Sequence, residues 1–214
     1  MKFADHTFVI SLARAPHRIA SFTASARRVG LEDWSVFPAV DGREHPIPPG
    51  THGGRGPGGT MTHGEVGCFL SHEAVVRRAV EMGLQSVAVF EDDVVFANGC
   101  QAAWTDFRAA VPDRWRILLL IAVGGLPLRE RRMPVTRRRR EADVAARPAP
   151  GRVGAFAYVL SAQGMRDFLA HPLITTRAFP VDGITRDLQR PGGWCPSRPI
   201  VQLTDVPSTL VHGA

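Results

Sequence analysis

The run Ser86-Val87-Ala88-Val89-Phe90 stops at three consecutive carboxylates, Glu91-Asp92-Asp93, and that junction constrains the fold more than any other stretch of the chain. A short apolar run rich in β-branched side chains reads as a buried strand, here with acid at its carboxyl end. Similar strands are expected at Thr7–Leu12, Trp34–Val40, Trp115–Ile121 and Ala155–Leu160, with helices between them. Pro16 can open the first helix, where its missing N–H is harmless, and Ile19, Phe22 and Ala26 follow at helical spacing up to Gly30. Thr62-x-x-Glu65 is a capping box for a second helix that runs to about Gly83, with Val66, Phe69, Leu70, Val76 and Val80 on one stripe. A third is expected over Gly99–Val111, and Ser161 caps a fourth that ends near Ala170. This alternation specifies an α/β fold, a mainly parallel sheet flanked by helices.

With 214 residues, 44% of them hydrophobic, the chain can bury one core, so a single domain over 1–214 is expected. Two stretches interrupt it: a Gly-rich loop at about 43–61, expected to be mobile and to bury almost nothing, and an Arg-rich loop at about 127–152. No apolar run approaches the ~20 residues that cross a bilayer. Met1–His6 lacks the basic start of a signal peptide, and Cys68, Cys100 and Cys195 lie too far apart for a disulfide framework or a CxxC zinc pattern. A reducing cytoplasm is therefore the expected compartment. The net charge is +6, and nine arginines against Glu130, Glu141 and Asp143 between Arg129 and Arg152 account for all of it. With the remainder balanced and no recognisable motif, nucleic acid is not an expected partner. Arg137–Arg140 must project into water or meet an anion, which suits an anionic acceptor or peripheral contact with the inner face of a membrane.

Ligands of open α/β sheets bind beyond the carboxyl ends of the strands, where Glu91, Asp92 and Asp93 stand. Repulsion among three carboxylates is relieved by solvent or by a divalent cation. All-oxygen ligation suits Mg²⁺ or Mn²⁺, especially where phosphate oxygens complete the shell, which makes a nucleotide diphosphate the natural partner. Asp92 either joins its neighbours or points away from them, because adjacent residues on an extended chain alternate faces. Arg14 and Arg18, just past the first strand, carry guanidinium forks that match phosphate oxygens. Helical geometry sets Glu65 and His72 together on the flank of the second helix's stripe and Glu73 inside it, where the plain reading is an ion pair with Arg77. Cys68 reads as a small core residue.

The order of several segments adds to this: Val9-Ile10-Ser11-Leu12-Ala13-Arg14 with Arg18, then Ala39-Val40-Asp41-Gly42, then Gly64-Glu65-Val66-Gly67-Cys68-Phe69-Leu70-Ser71-His72, then Val89-Phe90-Glu91-Asp92-Asp93-Val94. Together they resemble glycosyltransferase family 25, which includes bacterial lipooligosaccharide galactosyltransferases and collagen hydroxylysine galactosyltransferases. The resemblance continues through Gly154–Ser161, Pro180-Val181-Asp182, Val201-Gln202 and Ser208-Thr209. It implies a GT-A type fold, a UDP-sugar donor (UDP-galactose above all), Mn²⁺ or Mg²⁺, inversion at the anomeric carbon, and a glycan or lipid-linked acceptor in lipopolysaccharide or surface-glycan synthesis. By position, Glu91-Asp92-Asp93 looks like the DxD element, with Asp93 in direct metal contact and Glu91 on the metal, a metal-bound water or the ribose. Asp182 is the candidate base, or else a second metal ligand, while Arg14, Arg18, Glu65, His72, Asp92 and Tyr158 are candidates for donor binding. Gly183 stands where some members carry a further acid. The competing reading is a catalytically silent domain of the same fold that binds a nucleotide sugar or glycan.

Overall fold

Strand β1 (His6–Ser11) lies between β2 (Ser35–Pro38) and β3 (Ser86–Glu91) and runs parallel to both, with Phe8 opposite Ser35 on one side and Val89 on the other. A computed structural model describes residues 1–121, 145–149, 154–190 and 192–204. Within it the helices are α1 (Pro16–Arg28), α2 (His63–Glu81), α3 (Cys100–Ala110), α4 (Ala162–Ala170), α5 (Pro172–Thr176) and α6 (Asp182–Leu188). The remaining strands are β4 (Val94–Phe96), β5 (Ile117–Leu119), β6 (Ala146–Pro148), β7 (Ala157–Ser161), β8 (Gly193–Pro196) and β9 (Val201–Leu203). Seven strands form one sheet in the order β2-β1-β3-β7-β5-β8-β6, and β4 pairs with β9 in a separate ribbon. Following the pairings across the large sheet, β2, β1, β3, β5 and β8 point one way and β7 and β6 the other. The sheet is thus mainly parallel, as the alternation of strands and helices requires.

Residue parity along the central strands decides what each face packs against. Val9, Ala88 and Phe90 join Phe22 and Ala26 of α1 and Phe107 of α3 in one core. Phe8, Ile10, Val87 and Val89 join Val66, Phe69 and Val76 of α2 and Phe168 of α4 in the other. Helix α2 starts where its capping box places it: Thr62 Oγ1 accepts from Glu65 N at 3.2 Å while Glu65 Oε2 accepts from Thr62 N at 2.9 Å. At α4, Ser161 Oγ accepts from Gly164 N at 3.1 Å.

Two expectations about loops need correction. The Gly-rich stretch does bury side chains: Thr51 is 6% and Met61 1% exposed, and Met61 N donates to Thr51 Oγ1. Its glycines permit close approach, since a Cβ on Gly53, whose φ is +72°, would lie 2.0 Å from the Phe179 ring. Within the Arg-rich stretch, Ala146–Pro148 forms an edge strand antiparallel to β8. Arg129–Arg140 and Ser208-Thr209 lie outside the described residues. Among the described residues no helix is long and apolar enough to cross a membrane.

Candidate functional site

The parity that sorts the two cores continues past the end of β3 and separates the three acids. Asp92 falls on the α1 side, 6% exposed, and accepts from Ser11 Oγ and from Arg18 Nε, each at 2.6 Å. Arg18 is itself 4% exposed and reaches Asp93 Oδ2 through Nη2 at 3.1 Å. This guanidinium, expected at a phosphate, is held beneath the acids as their counter-ion, and Asp92 points away from the cavity described next.

Glu91, Asp93 and Asp182 all line one cavity of about 300 Å³. Asp182 arrives there as the first residue of α6. Glu65, Cys68 and Arg55 line it too, and Phe156 and Phe179 supply apolar wall. Asp93 Oδ1 is buried with no hydrogen-bond partner among the described residues. Burial first, and then the charge of Glu91, raise the Asp93 carboxyl to about 7 against the opposing pull of Arg18. Burial and Glu91, in the same order, also raise Asp182. An all-oxygen set with an orphaned carboxylate oxygen and mutually repelling charges fits a hard divalent cation.

Behind Glu91 stands a second layer. His72 is fully buried, with Nδ1 2.8 Å from Tyr158 Oη and Nε2 3.4 Å from Glu91 Oε1. Cys68 Sγ lies 3.8 Å from the same carboxylate oxygen. Cys68 packs half-buried against the α2-side core, as a small core residue does, and in addition lines the cavity one turn before His72 on α2. Burial, followed by the charges of Glu91, Asp182 and Asp93, pushes its thiol well above the ordinary range. Tyr158 is fully buried on β7 and is linked to the cavity through His72 and then Glu91. Glu65 contributes to the wall while its Oε2 also accepts from Arg55 N at 3.0 Å, which ties the Gly-rich loop to the start of α2.

Arg14 lies apart, 41% exposed at its side chain and paired with Asp41 at 3.0 Å. Glu73 pairs with Arg77 at 2.8 Å, as its spacing implies, and also with Arg177 at 3.3 Å. Sequence reasoning missed Arg55, Phe156 and Phe179 at the cavity. The only signal for Phe179 was indirect, a glycine at position 53 that leaves room for its ring.

Residues 4–185 match the family described as Glycosyltransferase family 25 (LPS biosynthesis protein). A rat protein named "Probable inactive glycosyltransferase 25 family member 3" is 37% identical over 83% of this chain and 32% of its own length. The human "Inactive glycosyltransferase 25 family member 3" is 35% identical over 83% of this chain and 30% of its own. A "Glycosyltransferase 25 family member" of Drosophila pseudoobscura pseudoobscura is 38% identical over 43% of this chain and 16% of its own. The chain thus spans about a third, or less, of the length of these relatives. Its mixed α/β architecture is consistent with a Rossmann-like GT-A fold. A match that runs through most of the sequence, with identity above 30% sustained across 83% of it, shows that this chain belongs to glycosyltransferase family 25.

Proposed function

We propose that this chain moves a hexose, galactose before others, from a UDP-sugar to a hydroxyl of a glycan or lipid-linked acceptor with inversion at the anomeric carbon. The observation that carries this reading is Asp93, whose buried Oδ1 has no hydrogen-bond partner among the described residues and which lines a cavity shared with the carboxylates of Glu65, Glu91 and Asp182. Asp93 and Glu91 would hold Mn²⁺ or Mg²⁺, which when bound offsets the negative charge that grows on the departing diphosphate. Arg18 fixes Asp93 through Oδ2 and leaves Oδ1 without a hydrogen-bond partner among the described residues. Asp182 accepts the acceptor hydroxyl's proton at its carboxylate, a task favoured by a raised proton affinity. Phe156 and Phe179 keep water from the transferring sugar. Asp92, His72, Tyr158 and Glu65 act on the donor by positioning Asp93, Glu91 and the Gly-rich loop, and Arg14 is available to an approaching phosphate. Work at the inner face of the cytoplasmic membrane, in lipopolysaccharide or surface-glycan synthesis, with Arg129–Arg152 toward an anionic acceptor, belongs to the same proposal.

A second reading has its own support: the rat and human relatives carry the word inactive in their names. On that reading the cavity binds a nucleotide sugar without turnover. A screen of UDP-sugars with Mn²⁺, monitored by UDP release and by melting temperature, separates the two. Transfer requires Mn²⁺-dependent UDP release that Asp93→Ala abolishes in a folded protein. Stabilisation by UDP-sugar without released UDP would establish the silent domain instead.

A further inference from the structure

We propose that Cys68, His72 and Glu91 form a three-ligand site for a soft divalent transition metal, zinc foremost, with its fourth position open to the cavity. The site goes beyond the hard-cation reading and shares only Glu91 with it. Two ligands come from successive turns of α2 and the third from the end of β3, whose parity turns Glu91 toward α2. Their ligand atoms, Sγ, a ring nitrogen and a carboxylate oxygen, lie within 4.8 Å of one another. Zinc bonds of about 2.3 Å to sulfur and about 2.0–2.2 Å to nitrogen and oxygen, at tetrahedral angles, separate neighbouring ligand atoms by about 3.3–3.7 Å. The structure has 3.4 Å from His72 Nε2 to Glu91 Oε1 and 3.8 Å from Cys68 Sγ to the same oxygen, two of the three edges near that spacing, with the third inside 4.8 Å. Sulfur, imidazole and carboxylate together suit zinc or cobalt better than magnesium or manganese.

The layer behind the ligands supports the same reading. Tyr158, the chain's one tyrosine, holds His72 Nδ1 at 2.8 Å inside the protein. A hydroxyl both donates and accepts, so it can receive Nδ1–H and leave the Nε2 lone pair directed at Glu91 and Cys68. An outer partner of this kind fixes the tautomer and orientation of a ligating histidine. Binding then balances simply: the Cys68 thiol gives its proton to solvent, neutral His72 binds through Nε2 with its proton on Nδ1, and one proton is released per ion. The remaining valence of the ion faces the cavity that Cys68 and Glu91 line.

Cobalt(II), titrated into the full chain reduced with a phosphine, tests the site by absorbance. The expected result is a thiolate-to-cobalt charge-transfer band that saturates at one ion per chain and is bleached by one equivalent of zinc. Cys68→Ser removes that band and weakens zinc binding at least about 100-fold, while Tyr158→Phe weakens it about 10–100-fold, as loss of an outer-layer partner does. Cys100→Ser and Cys195→Ser keep the band. Asp93→Asn also keeps it while losing the response to Mn²⁺, so failure of the hard-cation reading and failure of this site give different results. No band in the unaltered protein, or a band that survives in Cys68→Ser, overturns the proposal.

Discussion

Asp92 and Asp93 are adjacent in the chain and alike in chemistry, yet the two sides of β3 use them in opposite ways. On the α1 side Asp92 has donors from Ser11 and Arg18 at 2.6 Å and is closed off from solvent. On the cavity side Asp93 keeps a buried oxygen with no hydrogen-bond partner among the described residues and meets the charges of neighbouring acids. The first arrangement is what a stable interior requires, and the second costs stability. What separates them is the layer each residue faces, which alternates with every residue at the end of a strand. The destabilised side is accordingly the side on which a ligand should act.

The sharpest way to break this contrast is to remove the counter-ion. Arg18→Met should cost about 3–5 kcal/mol in urea unfolding, because it leaves two carboxylates without their buried partner. A loss below about 1 kcal/mol would mean that the clamp is not structural. Asp93→Asn should act in the opposite direction. With its carboxyl raised from 3.8 to about 7, the folded protein keeps a proton that the unfolded chain gives up. Stability therefore falls as pH rises from about 4 through 7, and the variant should melt a few degrees higher than the parent at pH 8 and equally at pH 4. A lower melting point at pH 8 would place Asp93 among the stabilising pairs with Asp92.

Weaker effects sharpen the comparison further out. Glu65→Ala removes the capping-box acceptor and the anchor of Arg55 N, and should cost about 1–2 kcal/mol with faster proteolysis within residues 50–61. Unchanged proteolysis would show that the loop is held by its other contacts, the Phe179 ring, Ala178 O and the Thr51–Met61 bond. Arg14→Ala should cost less than about 1 kcal/mol, since the pair is exposed and Asp41 keeps Arg43 at 2.7 Å.

The elements that positioned the acids were legible because their signals are local. The β-branched run into Glu91, the Thr62/Glu65 capping box and the Ser161 cap each lie within a few residues of what they specify. The ribbon of β4 and β9 was not legible: three-residue strands with register Val94 to Leu203 are chosen by tertiary contact, not by pattern. The site divides in the same way. Motif order brought Glu91, Asp93 and Asp182 together, whereas Arg18 as counter-ion to Asp92, 74 residues away, and to its neighbour Asp93 depends on which face of α1 meets the sheet. Cys68 reads as a small core residue because no base or cationic neighbour in the sequence marks it as a nucleophile, and the acids it meets at the cavity come from other elements.

The most direct test is calorimetric titration of Mn²⁺ with UDP into the parent protein and into Asp93→Asn, each first shown to unfold cooperatively. The parent should bind one ion per chain and Asp93→Asn should show no measurable Mn²⁺ heat. Equal affinity in the two proteins would contradict the assignment of Asp93 as the ligand and move the cation elsewhere.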